Sequence, residues 1–170
     1  MVRLLSSIFF MHYIPNSFLV EFSGCTDSYN NHLELYRCQS AIDGKIWNYW
    51  RAEDLPAWAI FELTEESSMN SIELLNGYKA TAKNGRIISF KVTLNVDGQW
   101  IQPSDLQVKE DSTAQIESDG TVTLNNGIND LTLEFTTVTN VHSIRLDVTK
   151  VHSLHVNLRE IIPGFIIGKF

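Results

Sequence analysis

The sequence contains no G-x-S-x-G elbow, no P-loop, no G-x-G-x-x-G and no H-E-x-x-H, the short patterns that expose a nucleophile, cradle phosphates or hold a catalytic zinc. Any catalysis would have to use less legible groups. A basic cluster interleaved with aromatics is also missing. Thirteen Lys and Arg stand against 20 Asp and Glu, a formal charge of −7, so a nucleic-acid surface would lack its main electrostatic term. Cysteine is scarce: only Cys25 and Cys38 occur, with no C-x-x-C. Their spacing suits either a local disulfide in an oxidising compartment or two free thiols. No Pro-, Gly- or Ser-rich linker divides the chain, no internal repeat is visible, and no apolar run is long and unbroken enough for a secure membrane helix. What remains is 170 residues, 44% hydrophobic and 19% charged, the composition of one globular domain large enough to bury a core without a metal or disulfide.

From residue 57 onward the hydrophobic pattern has period two. Phe90, Val92, Leu94 and Val96 alternate with Ser89, Lys91, Thr93 and Asn95, which predicts a half-buried strand. Leu131, Leu133 and Phe135 repeat the pattern, as do Ile144, Leu146 and Val148. Between such runs stand Asn76-Gly77, Asn84-Gly85, Asp97-Gly98, Asp119-Gly120 and Asn126-Gly127, dipeptides that accept positive φ and mark tight reversals. Short strands punctuated this often predict an all-β, antiparallel β-sandwich or jelly roll.

Several groups invite a chemical reading. His152 and His155 are three apart, which on a strand sends them to opposite faces and argues against a shared metal. The pairs Glu53-Asp54 and Glu65-Glu66 are adjacent, whereas glycoside hydrolysis needs carboxyls about 5 to 9 Å apart, so both are read as solvated loop charge. The aromatic cluster Trp47, Tyr49, Trp50 and Trp58, beside Arg51, is more telling, since a ring can stack on the C–H face of a sugar while neighbouring polar groups bind its hydroxyls. Trp50 and Trp58 are expected mostly in the core, the latter because it alternates with Ile60. Trp47 and Tyr49 are the exposed candidates.

These residues resemble the discoidin, or coagulation-factor C-type, domains, and most of all the family 32 carbohydrate-binding modules. The stretch from Ser40 through Asp43-Gly44 and Trp47 to Trp50 and Glu53 is similar to the family's A-x-D-G-D-x-x-T-x-W loop, and Trp58-Ala59-Ile60-Phe61-Glu62-Leu63 to its W-I-x-I-D-L-G strand. Ser71 to Leu75, Arg86 to Val92 running into Asp97-Gly98-Gln99-Trp100, His142 to Val148, and Leu158-Arg159-Glu160-Ile161 continue the likeness in order, over roughly residues 38 to 164. Lys45 and Asn48 depart from it, standing where the family has an acid and a threonine. Residues 101 to 128 are longer than the usual connection and are expected to add a hairpin.

The resemblance implies a discoidin, galactose-binding-like jelly roll and a non-catalytic lectin or carbohydrate-binding module for a polysaccharide, neutral or anionic, recognised by loops at one end. Ligand positions then fall near Arg51, Lys79 and His155, with Trp47 and Tyr78 as stacking rings. Two cations would suit a carboxylated or sulfated sugar. The resemblance also implies a structural Ca²⁺ held by Asp43 and Glu160 with backbone carbonyls. The alternative it carries is a discoidin-type adhesion domain for a protein or a membrane surface. Membrane binding ranks lower, since paired apolar spikes beside basic residues are lacking apart from Tyr78-Lys79. An enzyme on this fold would need a carboxylate pair or metal that the sequence does not reveal.

Residues 1–24 open with Met-Val-Arg and an apolar run, the order of a secretory leader, although His12, Pro15, Asn16 and Glu21 interrupt it. The other reading is an N-terminal strand or a start codon set too early. The expected organisation is therefore a leader at 1–24, a carbohydrate-binding domain at 25–165 and a short tail at 166–170. Such a domain is expected secreted or at the cell surface, alone or within a larger multidomain glycan-active protein.

Overall fold

The computed structural model describes residues 22–29, 36–45, 47–77, 85–111, 113–124, 130–152 and 155–165. Ten strands follow in chain order: β1 (Phe22–Asp27), β2 (Trp50–Ala52), β3 (Ala57–Asn76), β4 (Arg86–Val96), β5 (Gln99–Ile101), β6 (Gln107–Val108), β7 (Gln115–Ile116), β8 (Thr121–Thr123), β9 (Asp130–His152) and β10 (Val156–Phe165). A 3₁₀ turn covers Cys38–Ala41. Every pairing is antiparallel.

Two long strands make the sandwich. The first half of β3 pairs with β1 and with the second half of β9, which in turn pairs with β4. The second half of β3 pairs with β10 and with the first half of β9. The β3–β9 register slips three times between Glu62 and Ser71, which is where the ribbon folds over from one layer to the other. β2 extends the second layer beside β10, and β5 and β8 line the outer edge of β4. The extra hairpin expected from the long 101–128 connection is present as β7 and β8.

The core follows the alternation. Phe90, Val92 and Leu94, then Leu131, Leu133 and Phe135, then Ile144, Leu146 and Val148 are all buried, while Lys91, Thr132, Glu134, Arg145 and Asp147 are not. Trp50 is fully buried, as expected. Trp58 is not in the core: it and Ile60 are only partly buried on the outer face, with Arg145 stacked over the Trp58 ring at 5.2 Å. The core face of that strand is Ala57, Ala59 and Phe61, the small alanines leaving room for the opposite layer.

The turns behave as their residues dictate. Asp97 and Gly98 both take positive φ, 50° and 81°, closing the tight β4–β5 hairpin in the primed-turn conformation. Asn126-Gly127 lies outside the described residues. β1 begins at Phe22, so the last residues of the range read as a leader are paired with β3, and residues 1–21 lie outside the described residues.

The strand directions give the sandwich two unlike ends. At the bend end lie the folds of β3 and β9 and the Asp97-Gly98 turn. At the loop end lie the end of β1, Gly77 and Gly85 at the two ends of the β3–β4 connection, the end of β9 and the start of β10.

Candidate binding site at the loop end

Every described residue that the sequence nominated for a site is at the loop end. β2 and β10 pair with Arg51 opposite Asn157 and Ala52 opposite Val156. His155 therefore stands two positions before the residue that faces Arg51. The β3–β4 connection is anchored at the same place: Gly77 N donates to Asn157 O and Asn157 N donates to Gly85 O, both at 2.8 Å. Gly85 has φ +74°, and a Cβ there would lie 2.1 Å from Asn157 Nδ2, so glycine is what lets the connection close on Asn157. The buried Arg159 adds a second anchor, donating from Nε to Gly77 O at 3.0 Å and pairing through Nη2 with Asp130. Tyr78 and Lys79 belong to this connection but lie outside the described residues.

Arg51 is held on two sides. Its Cζ sits 5.4 Å from the centroid of the Tyr36 ring, and its Nη2 is 3.5 Å from Glu53 Oε1. Tyr36 packs at 5.0 Å against Tyr49, tilted by 42°. The other oxygen of Glu53 accepts from the Tyr29 hydroxyl at 3.0 Å, and that bond, more than burial, raises the Tyr29 pKa above the ordinary tyrosine value. Glu53, expected as solvated loop charge, is thus exposed but engaged by two partners. Trp47 is 72% exposed, a large ring presented to solvent in the turn before β2. Arg51 Nε and His155 Nδ1 are buried and have no hydrogen-bond partner among the described residues. Buried polar groups of this kind are completed by water or a ligand.

Tyr29 and Tyr36 were invisible from the sequence. They reach the site because Cys25 and Cys38 form a disulfide, which settles the question the spacing left open. The Asp27 carboxylate accepts from Tyr29 N at 2.8 Å and Cys38 N at 3.2 Å, tying the two ends of the same segment together.

Asp43 and Glu160 are brought together although 117 positions separate them. Gly44 N donates to Glu160 Oε1 at 3.3 Å, Lys45 N to Asp43 Oδ1 at 2.8 Å and Asn48 Nδ2 to Asp43 Oδ2 at 2.6 Å. Glu160 is 7% exposed, and its Oε2 is buried without a hydrogen-bond partner among the described residues. Burial raises its pKa above the ordinary carboxylate range, and the nearby negative charge of Asp43 adds to the rise, against the lowering effect of the Gly44 N–H. Two neighbouring carboxylates, one with a buried oxygen lacking any partner, fit a hard oxygen-seeking cation bridging the loop and the last strand.

The bend end is different in kind. Glu66 and Asp97 lie 3.8 Å from His142 Nε2, all three well exposed, beside an open cleft of about 350 Å³ lined by Ser23, Leu63, Glu65 and Ser143 among others. Among the described residues no group of three or more His, Cys, Asp or Glu, there or elsewhere, is arranged to hold a metal ion.

Comparison with known proteins agrees with this architecture. The carbohydrate-binding module CpGH89CBM32-5 from Clostridium perfringens, solved in complex with GalNAc-β-1,3-galactose, superposes with a TM-score of 0.64 at 18% identity, over 83% of this chain and 94% of that one. A pectin-binding carbohydrate-binding module gives 0.61 at 21% identity, over 89% and 95%. The family 32 module of AlyQ, in complex with 4,5-unsaturated mannuronic acid, gives 0.60 at 17% identity, over 84% and 95%. At these identities the likeness shows the fold. No curated protein matches the sequence. The F5/8 type C domain family matches residues 23–161, so the chain belongs to the F5/8 type C, or discoidin, domain family.

Proposed function

We propose that the chain is a non-catalytic carbohydrate-binding module that recognises an anionic polysaccharide at the loop end. The observation that carries this reading is the Arg51 guanidinium held by Tyr36 and Glu53 one strand away from His155, with the exposed ring of Trp47 four positions before it in the chain. A ring supplies the apolar face that a pyranose needs, and a guanidinium supplies parallel N–H donors that match a carboxylate. Lys79 and Tyr78 join the same site in this reading, from a connection whose two ends are anchored on Asn157. Neighbours in fold space support it, one described as pectin-binding and one bound to an unsaturated mannuronic acid.

In this reading Asp43 and Glu160 hold a structural Ca²⁺. It would supply charge that satisfies Glu160 Oε2 and would lock the loop before β2 to the last strand. The Cys25–Cys38 disulfide supports a secreted or cell-surface location, since such bonds persist in oxidising compartments. No helix among the described residues is long and apolar enough to cross a membrane. Attachment to a larger glycan-active protein would supply the avidity that a single shallow site lacks.

The test is calorimetry of the folded protein against uronic-acid polymers and neutral polysaccharides, repeated with Arg51→Ala and with a chelator. Binding to an acidic polymer that Arg51→Ala removes is the expected result. A folded protein that binds no polysaccharide would overturn the reading. That outcome would favour the discoidin-type adhesion alternative, for which the exposed Trp47 would be the loop-tip contact to a protein or membrane.

A further inference from the structure

Arginine carries several rotatable bonds, and a guanidinium on a surface strand ordinarily samples many directions. Arg51 does not have that freedom. The guanidinium carbon of Arg51 lies over the Tyr36 ring at 5.4 Å from its centroid, Tyr49 packs against Tyr36 at 5.0 Å, and Glu53 Oε1 approaches Nη2 at 3.5 Å. A free Glu53 would turn both oxygens onto the guanidinium in a bidentate pair and neutralise it. Here only Oε1 faces the guanidinium, and Oε2 instead accepts the Tyr29 hydroxyl at 3.0 Å. Both tyrosines come from the one segment that the Cys25–Cys38 disulfide closes and the Asp27 carboxylate cinches.

We propose that this disulfide-closed segment is a positioning clasp for Arg51: Tyr36 fixes the plane of the guanidinium, and Tyr29 holds Glu53 to a single contact at its edge. With Nε buried and Nη2 facing Glu53, the remaining N–H edge of the guanidinium is thereby presented, already ordered, to a carboxylate on the sugar. The clasp deepens the carbohydrate reading and rests on it. Its consequence is selectivity. Ordering a guanidinium before the ligand arrives removes an entropic cost that only a ligand bonded to that guanidinium would otherwise bear, so the gain falls on acidic sugars and bypasses neutral ones.

The experiment is titration of uronic-acid and neutral oligosaccharides into the wild type, Tyr36→Phe, Tyr36→Leu, Tyr36→Ala, Arg51→Ala and the double variant Tyr36→Ala with Arg51→Ala, with thermal unfolding of each. Phe keeps the ring and is expected to bind within about twofold of wild type, whereas Leu keeps bulk without the π face and should bind the acidic sugar about tenfold more weakly. Ala should match Leu, and in the double variant the Tyr36 change should add nothing to the loss from Arg51→Ala, because it acts through that residue. Unchanged binding by Tyr36→Leu, or losses that multiply in the double variant, would overturn the clasp while leaving the carbohydrate reading intact. A folded wild type that binds neither sugar class would remove both. Should Tyr36→Ala unfold, the Phe and Leu pair decides alone.

Discussion

The two ends of the sandwich are built by the same two strands, yet they hold their polar groups in opposite ways. At the bend end Glu66, Asp97 and His142 stand in solvent at 3.8 Å spacings, an arrangement that water satisfies and that is worth little. At the loop end one buried oxygen of Glu160 and one buried nitrogen each of Arg51 and His155 have no hydrogen-bond partner among the described residues, and a disulfide holds the surrounding chain. Placing polar atoms out of reach of water without partners costs stability, and the cost is tolerated where something else completes them. The difference teaches that charge count alone does not locate a site, because the bend end carries ordinary solvated charge and the loop end carries buried polar atoms without partners among the described residues.

The sharpest way to break that comparison is to open the loop end. Replacing Cys25 and Cys38 together by serine should lower stability by about 3 kcal/mol and the melting temperature by roughly 6–12 °C, with the loss of hydrogen-exchange protection concentrated between Tyr36 and Ala52. Equal loss at the bend end would mean that the two ends are not separable.

Ligand contact should divide the ends next. Arg51→Ala is expected to weaken binding of an acidic polysaccharide by about 10- to 100-fold, whereas His142→Ala at the bend end should leave the dissociation constant within about twofold. A comparable loss from His142→Ala in calorimetry would place the site at the wrong end.

Calcium sharpens the contrast further. Added Ca²⁺ should raise the melting temperature by roughly 5 °C, and Glu160→Gln should abolish the rise. In chelator, the raised pKa of Glu160 fixes the sign of the pH effect. The folded state binds this proton more tightly than the unfolded chain, so its stabilising contribution is present below the ordinary carboxylate pKa and is lost as pH rises through the raised value. Denaturant titrations across that window should show stability falling, and Glu160→Gln should flatten the slope. The smallest effect belongs to the bend end: His142→Ala should change unfolding free energy by less than about 0.5 kcal/mol, since its ion pairs are exposed.

The strands were legible because their signal is local. Period-two alternation over Phe90 to Leu94 and over Ile144 to Val148 states which residues share a face, and Asp97-Gly98 states where the chain must reverse. Alternation does not say which face is the core. Trp58 and Ile60 outrank Ala57 and Ala59 in hydrophobicity, so the outer face was read as the inner one, and only the packing of the second layer against small residues corrects it. Arg51, Asp43 and Glu160 were reachable through the family's motifs. Tyr29 and Tyr36 were not, because they lie before those motifs in a segment without periodicity, and Glu53 looked solvated because its partner Tyr29 is 24 positions away.

The sequence by itself therefore determined the all-β class, the positions of the reversals and the family, each of which is written in neighbouring residues whose spacing the backbone geometry reads directly. The tertiary structure alone decided that the two cysteines are bonded, that Glu160 is buried beside Asp43, and that Tyr36 closes on Arg51 while Tyr29 holds Glu53. Those outcomes depend on which distant segments share one end of the sandwich. Gly44 and Glu160 are 116 positions apart, and no local preference of either residue carries information about the other until the layers have packed.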